Sequence, residues 1–156
     1  MKYEDLYIAY LIYFNRDQDY FECHEVLEEL WLHNNRDPLY KGLLQVAVGL
    51  YHFRNNNIIG GRKMLHSAAD QLEKYPVDTL GIKMGSLVSQ VRLYAKKLEQ
   101  YEESPFPYYD LTIVIVDPEL QLAVDCAKRT IIPNIPQRRG PEPPDRPRNR
   151  QTHVDE

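Results

Sequence analysis

Residues 39–53 read Leu-Tyr-Lys-Gly-Leu-Leu-Gln-Val-Ala-Val-Gly-Leu-Tyr-His-Phe. Coiled as a helix, this run is apolar nearly all round, so it is stable only where other elements surround it. A chain with such a segment has to build a bundle about it. The exceptions are ordered. Gly42, Gln45, Gly49 and His52 step by three, four and three, which puts them on one stripe. Glycine inside a helix costs ~1 kcal/mol relative to alanine. Its use here is to strip side chains from the stripe, so that a neighbouring backbone comes close and Gln45 and His52 look across a narrow gap.

The flanking sequence supplies the rest of the bundle. Leu6, Tyr7, Tyr10, Leu11 and Phe14 recur at helical spacing and predict a helix over 4–15. The polar run 15–18 is a turn. Asp19, with Glu22 three residues on, opens a second helix that reaches about His33. Asn34, Asn35 and Arg36 break it, and Asp37-Pro38 restarts the chain with a capping side chain and a proline in the first helical position. The third helix ends near Asn55. A fourth spans 58–74 and stops before Pro76. A fifth begins near Asp78 or Thr79 and reaches Glu102, its first turns weakened by Gly81 and Gly85. The fold class is therefore all-α, a compact bundle of about five helices over residues 1–103.

An irregular extension, 104–132, follows. Its β-branched run 111–116 has strand propensity but no evident partner. Asp117-Pro118 then caps a short helix to about Arg129. From 133 to 156 prolines and arginines alternate with few apolar residues, the composition of a disordered tail.

With 156 residues the chain suits one domain. Net charge is −4, and the tail holds five Arg against four acidic residues, leaving −5 for the body. The body therefore sets up no field for nucleic acid. No apolar run is long enough for a membrane span. The N-terminus lacks the layout of a signal peptide, so Cys23 and Cys126 are expected as free thiols and the cytoplasm as the location.

The second helix carries the candidate site. At about 100° per residue, His24 and Glu28 fall inside its apolar arc beside Trp31, and Glu25 falls at the edge. A carboxylate and an imidazole in a buried face need a partner, a metal or a proton-transfer task. Short loops make sequential helices antiparallel neighbours, so the Gln45/His52 stripe is the expected partner. The polar cluster is thus His24, Glu25, Glu28, Gln45 and His52. In a scaffold, Glu28 accepts from a histidine or from Gln45 and fixes how two helices pack. In a metal-binding protein or metal-dependent hydrolase, His24, Glu28 and His52, with Glu25 or His66 nearby, give the two-His-one-carboxylate set suited to a divalent zinc, iron or manganese ion. The metalloprotease spacing is absent, as are paired Glu-x-x-His motifs. In a binding module, the helical body and the Pro/Arg tail engage a protein or RNA partner, or the body a second copy, though five tail arginines are few for an anionic partner. Cys23 is no partner for His24, because adjacent helical side chains diverge. The scaffold or protein-binding reading is the expectation, with metal binding the alternative.

The pattern Phe21-x-x-His24-Glu25-x-x-Glu28-x-x-Trp31, followed by residues 42–47, Tyr51-His52 and Asn57-x-x-Gly60-Gly61, resembles the domain of unknown function 309 family over about residues 15–75. The resemblance implies a small all-helical domain with no established activity, and supplies no reaction. Members more often carry alanine where Gly61 stands.

Overall fold

The computed structural model describes residues 2–133, so the Pro/Arg-rich segment 134–156 lies outside the described residues. Six α-helices form among these: α1 (Asp5–Ile12), α2 (Tyr20–His33), α3 (Pro38–Arg54), α4 (Ile58–Leu72), α5 (Met84–Glu99) and α6 (Pro118–Ala127). The fold is all-α, and no strand forms in the described chain. The starts follow the local chemistry. Asp19 accepts from the Glu22 N–H, Asp37 from the Leu39 N–H, Asn57 from the Gly60 N–H and Asp117 from the Glu119 N–H. Each carboxylate or amide satisfies a backbone donor that the first helical turn leaves open.

The all-round apolar segment is the centre. α3 packs against α2 on one flank and α4 on the other; α4 in turn meets α5, and α1 meets α2 and α6. Leu43, Val46, Ala47 and Leu50 are fully buried. The Tyr10 hydroxyl donates to the Leu43 carbonyl at 2.9 Å and ties α1 to the centre.

The small-residue stripe of α3 turns to α4, where the sequence pattern pointed to α2. A Cβ on Gly42 would lie 2.7 Å from Leu72 Cδ2, and one on Gly49 2.7 Å from Leu65 and 3.3 Å from the Gly61 carbonyl. The reason is on α4, whose own Gly61 meets the Gly49 carbonyl, so that both helices are bare at the crossing. α2 lacks any such residue.

Two further expectations change. The run 111–116 is extended but is no strand; a single antiparallel bridge joins Ile115 to Ile82. The segment has partners of another kind. Asn15 donates to the Ile113 carbonyl and accepts the Ile113 N–H, both at 2.9 Å. The Lys83 N–H donates to Val114 O, and the Val116 N–H to Gly81 O. Leu111 and Ile113 alternate into the core while Val114 and Val116 face out. Asn15 reaches them because α1 runs on into a π-helical turn, Tyr13–Asp17, where a plain turn was expected. The fifth helix starts late, at Met84, because Leu80 and Gly81 adopt φ of 61° and 74° in a short 3-10 turn. The Tyr7 hydroxyl holds that turn through Leu80 O at 2.8 Å. No helix among the described residues is long and apolar enough to cross a membrane.

Candidate functional site

The antiparallel register of α2 and α3 is fixed at both ends. At one end the Arg54 guanidinium donates to Gln18 O at 2.9 Å and lies 4.6 Å from the Tyr20 ring centre. At the other, Lys41 Nζ lies 4.5 Å from the Trp31 ring centre. His24 and Glu28 stand between these anchors, one and two turns into α2.

His24 is 1% exposed. Its Nε2 lies 3.4 Å from Glu28 Oε1, and its Nδ1 lies 3.4 Å from Glu25 Oε2. The Glu25 contact is too poorly aligned for a hydrogen bond, so Nδ1 is a buried nitrogen without one. The two carboxylates are open to water, their side chains 50% and 34% exposed for Glu25 and Glu28. The imidazole thus sits under a pair of surface carboxylates, with Nε2 turned to Glu28 and Nδ1 near Glu25 without a hydrogen bond. The helix alone builds the His24–Glu28 contact, since positions i and i+4 are neighbours on its surface; Glu25, the adjacent residue, reaches Nδ1 only at 3.4 Å and without a hydrogen bond.

Gln45 and His52, the other members of the expected cluster, are buried on α3, and each has a partner on the α4 side. Gln45 Oε1 accepts from Ser67 Oγ at 3.1 Å. His52 Nδ1 lies 3.2 Å from Asn57 Nδ2, the side chain that caps α4. The five residues therefore divide into His24, Glu25 and Glu28 on α2, and Gln45 and His52 at the α3–α4 contact. His66 is paired with Glu99 of α5. Among the described residues no group of three His, Cys, Asp or Glu side chains comes close enough to share a metal ion.

Cys23 is buried, with Sγ 3.6 Å from Tyr10 O. Burial pushes its thiol well above the ordinary range, and Asp19 and Glu22 push the same way. That is the opposite of an activated thiolate. Cys126 is a free thiol on the surface.

Outside His24 the surface of α2 forms a ridge. Phe21, Glu25, Glu28 and Leu32 step by four, three and four, so they lie in line. Phe21 is 39% and Leu32 47% exposed. Glu22 and Glu29 flank the line, and α2 contains neither Lys nor Arg. Burial and the nearby Asp19 and Glu25 push the Glu22 carboxyl up, which reflects how acidic this surface is.

Two polar groups were not foreseen. Tyr108 donates to the Tyr20 hydroxyl at 2.8 Å, beside Asp110, and clasps the extension over the start of α2. Arg36 and Lys41 both lie over Trp31. Neither leaves a local sequence signal, since each depends on where a loop returns.

Comparison with known proteins agrees with the motif reading. The sequence profile of the family described as Domain of unknown function (DUF309) matches residues 7–64. The chain is 32% identical over 134 residues to the uncharacterized protein YpuF of Bacillus subtilis (strain 168), covering 81% of this chain and 75% of that protein. It is 29% identical over 83 residues to an uncharacterized protein of Aquifex aeolicus (strain VF5), covering 51% of this chain and 24% of that protein. The chain thus spans about a quarter of the second relative's length. No solved structure matches.

Proposed function

The chain belongs to the DUF309 family, and from that premise we propose that it is a protein-binding module whose docking face is the ridge of α2, recognising a basic amphipathic helical segment. The observation that carries this reading is the ridge itself: two exposed apolar side chains, Phe21 and Leu32, bracketing the carboxylates of Glu25 and Glu28, with His24 beneath them. Phe21 and Leu32 are already more than half buried, so covering what remains is worth roughly 0.5–1.5 kcal/mol each. The carboxylates add orientation and speed of encounter more than affinity. A segment with lysines or arginines between leucines, at helical spacing, complements the ridge in both respects.

The test is fluorescence anisotropy of a labelled, helical Lys/Leu peptide titrated with the full chain. Saturable binding is expected. It should weaken by about tenfold or more in Glu25→Lys/Glu28→Lys and in Phe21→Ala/Leu32→Ala. Glu102→Lys/Glu103→Lys changes the net charge equally on another exposed surface and should leave it unaltered. Equal weakening by both charge reversals would reduce the effect to net charge and end the proposal. The metal reading of His24, Glu28 and His52 makes a different prediction. There, zinc or manganese raises the melting temperature of the wild type and not of Glu28→Gln.

A further inference from the structure

The corner between α2 and α3 carries a cluster of donors with nothing to receive them. Trp31 is the single tryptophan of the chain. The Arg36 guanidinium carbon lies 5.2 Å and Lys41 Nζ 4.5 Å from its ring centre. Trp31 Nε1 is buried and has no hydrogen-bond acceptor. A buried N–H without an acceptor is a destabilised group that a ligand can relieve.

The nearby carboxylates are engaged elsewhere. Asp37 caps α3 through the Leu39 N–H at 3.0 Å. Glu28, one turn back from Trp31, lies against His24. Neither Arg36 nor Lys41 has an ion pair among the described residues. Two cations instead stand at an aromatic ring, where at exposed sites the attraction is weak beside that of a charged acceptor.

The backbone that makes this arrangement is itself costly. Asn35 and Arg36 both have φ of 57°. For residues with a Cβ the left-handed region is strained, less so for Asn. The turn is closed by the Arg36 N–H donating to Trp31 O at 2.8 Å. Its result is that Arg36 returns over the indole of its own helix.

We propose that this corner binds a small oxyanion, a phosphate or carboxylate group that bridges Arg36 and Lys41 and accepts the Trp31 Nε1–H. The inventory selects the class of ligand. Guanidinium, ammonium and indole N–H are donors only. A ligand that satisfies all of them must be acceptor-only and negatively charged, and charge-assisted hydrogen bonds are the stronger kind. The long stems of Arg36 and Lys41 let both heads slide from the ring to its nitrogen edge, where the anion is held. The site is independent of the ridge reading, since it uses other residues and another chemistry.

Because Trp31 stands alone, its emission reports on this corner directly. The full chain is titrated with sodium phosphate and, separately, with sodium acetate, with ionic strength held constant by sodium chloride. A saturable change in Trp31 emission is expected with phosphate, with acetate, or with both. Response to phosphate alone assigns the site to phosphoryl groups, and response to acetate assigns it to carboxylates. The midpoint should rise about tenfold or more in Arg36→Gln and in Lys41→Gln. Lys63→Gln, an exposed cation on α4, should not move it. Far-ultraviolet circular dichroism confirms that each variant is folded. No saturable change with either anion, or midpoints unmoved in both glutamine variants, would overturn the proposal.

Discussion

On its α4 flank, α3 presents bare backbone at Gly42 and Gly49, and the polar groups there meet across the contact, Gln45 with Ser67 and His52 with Asn57. On its α2 flank the outer edge carries His24 Nδ1 and Trp31 Nε1 without acceptors, and carboxylates and cations that face water. One flank is closed by shape and hydrogen bonds. The other is left unfinished. Interiors are close-packed and buried polar groups are normally satisfied. A surface that departs from this beside one that does not is where an external group is expected to complete the structure.

The sharpest way to break the comparison is to crowd the closed flank. Gly49→Val places methyl groups where even a Cβ lies 2.7 Å from Leu65. The gain in helix propensity over glycine is small beside the cost of overpacking, about 1–3 kcal/mol. Urea unfolding should show the loss as a lower midpoint at unchanged slope. A variant as stable as wild type would mean that the two helices separate freely.

The open flank should tolerate change far better. Glu28→Leu removes one of the two carboxylates at His24, a contact 34% exposed on the Glu28 side. The expected cost is about 1 kcal/mol, because the change leaves the buried His24 Nε2 without its partner, and Glu28→Gln, which keeps an acceptor there, should cost less still. Urea midpoints measured side by side with Gly49→Val test the ranking. A Glu28→Leu loss as large as that of Gly49→Val would show that the ridge is part of the packing.

How much of this contrast was legible in the sequence depends on how far each cause lies along the chain. Asp19, Asp37-Pro38 and Asp117-Pro118 announced their helices because a cap acts on the next two or three residues. The His24–Glu25–Glu28 group was legible for the same reason, since one helix assembles it. A wheel gives the direction of a stripe but does not name the neighbour that fills it, so the glycine stripe and Gln45 were matched to α2 instead of α4. The π-helical turn, the left-handed Leu80 and the Asn15 clasp are answers to groups 73 to 98 residues away. Nothing near them in sequence records that. Arg36 over Trp31 is only five residues distant, yet it rests on two consecutive left-handed residues, which no propensity argument would assign to Asn35-Arg36.

The finest test concerns the contact at the far side of the bundle, where Tyr3 donates to Asp117. Burial, and then the Asp117 contact, raise the Tyr3 hydroxyl from 10.0 to about 12. The folded value exceeds the unfolded one, so the protonated hydroxyl is favoured in the folded state. Its contribution is complete below pH 10 and is lost as pH rises from 10 to about 12. Melting temperatures of wild type and Tyr3→Phe should therefore converge across that window. Parallel curves would show that the contact adds no stability.

The Asn15 clasp sets an order of events. Asn15 is made early on the ribosome and Ile113 ninety-eight residues later. At roughly 5–20 residues per second, α1 and its π-helical turn wait on the order of 5–20 s for the segment that fills them. Until then the slot for Leu111 and Ile113 stands open on a nascent bundle whose helices are otherwise free to pair with near neighbours. A segment made about a hundred residues later is thus the one that seals the first helix.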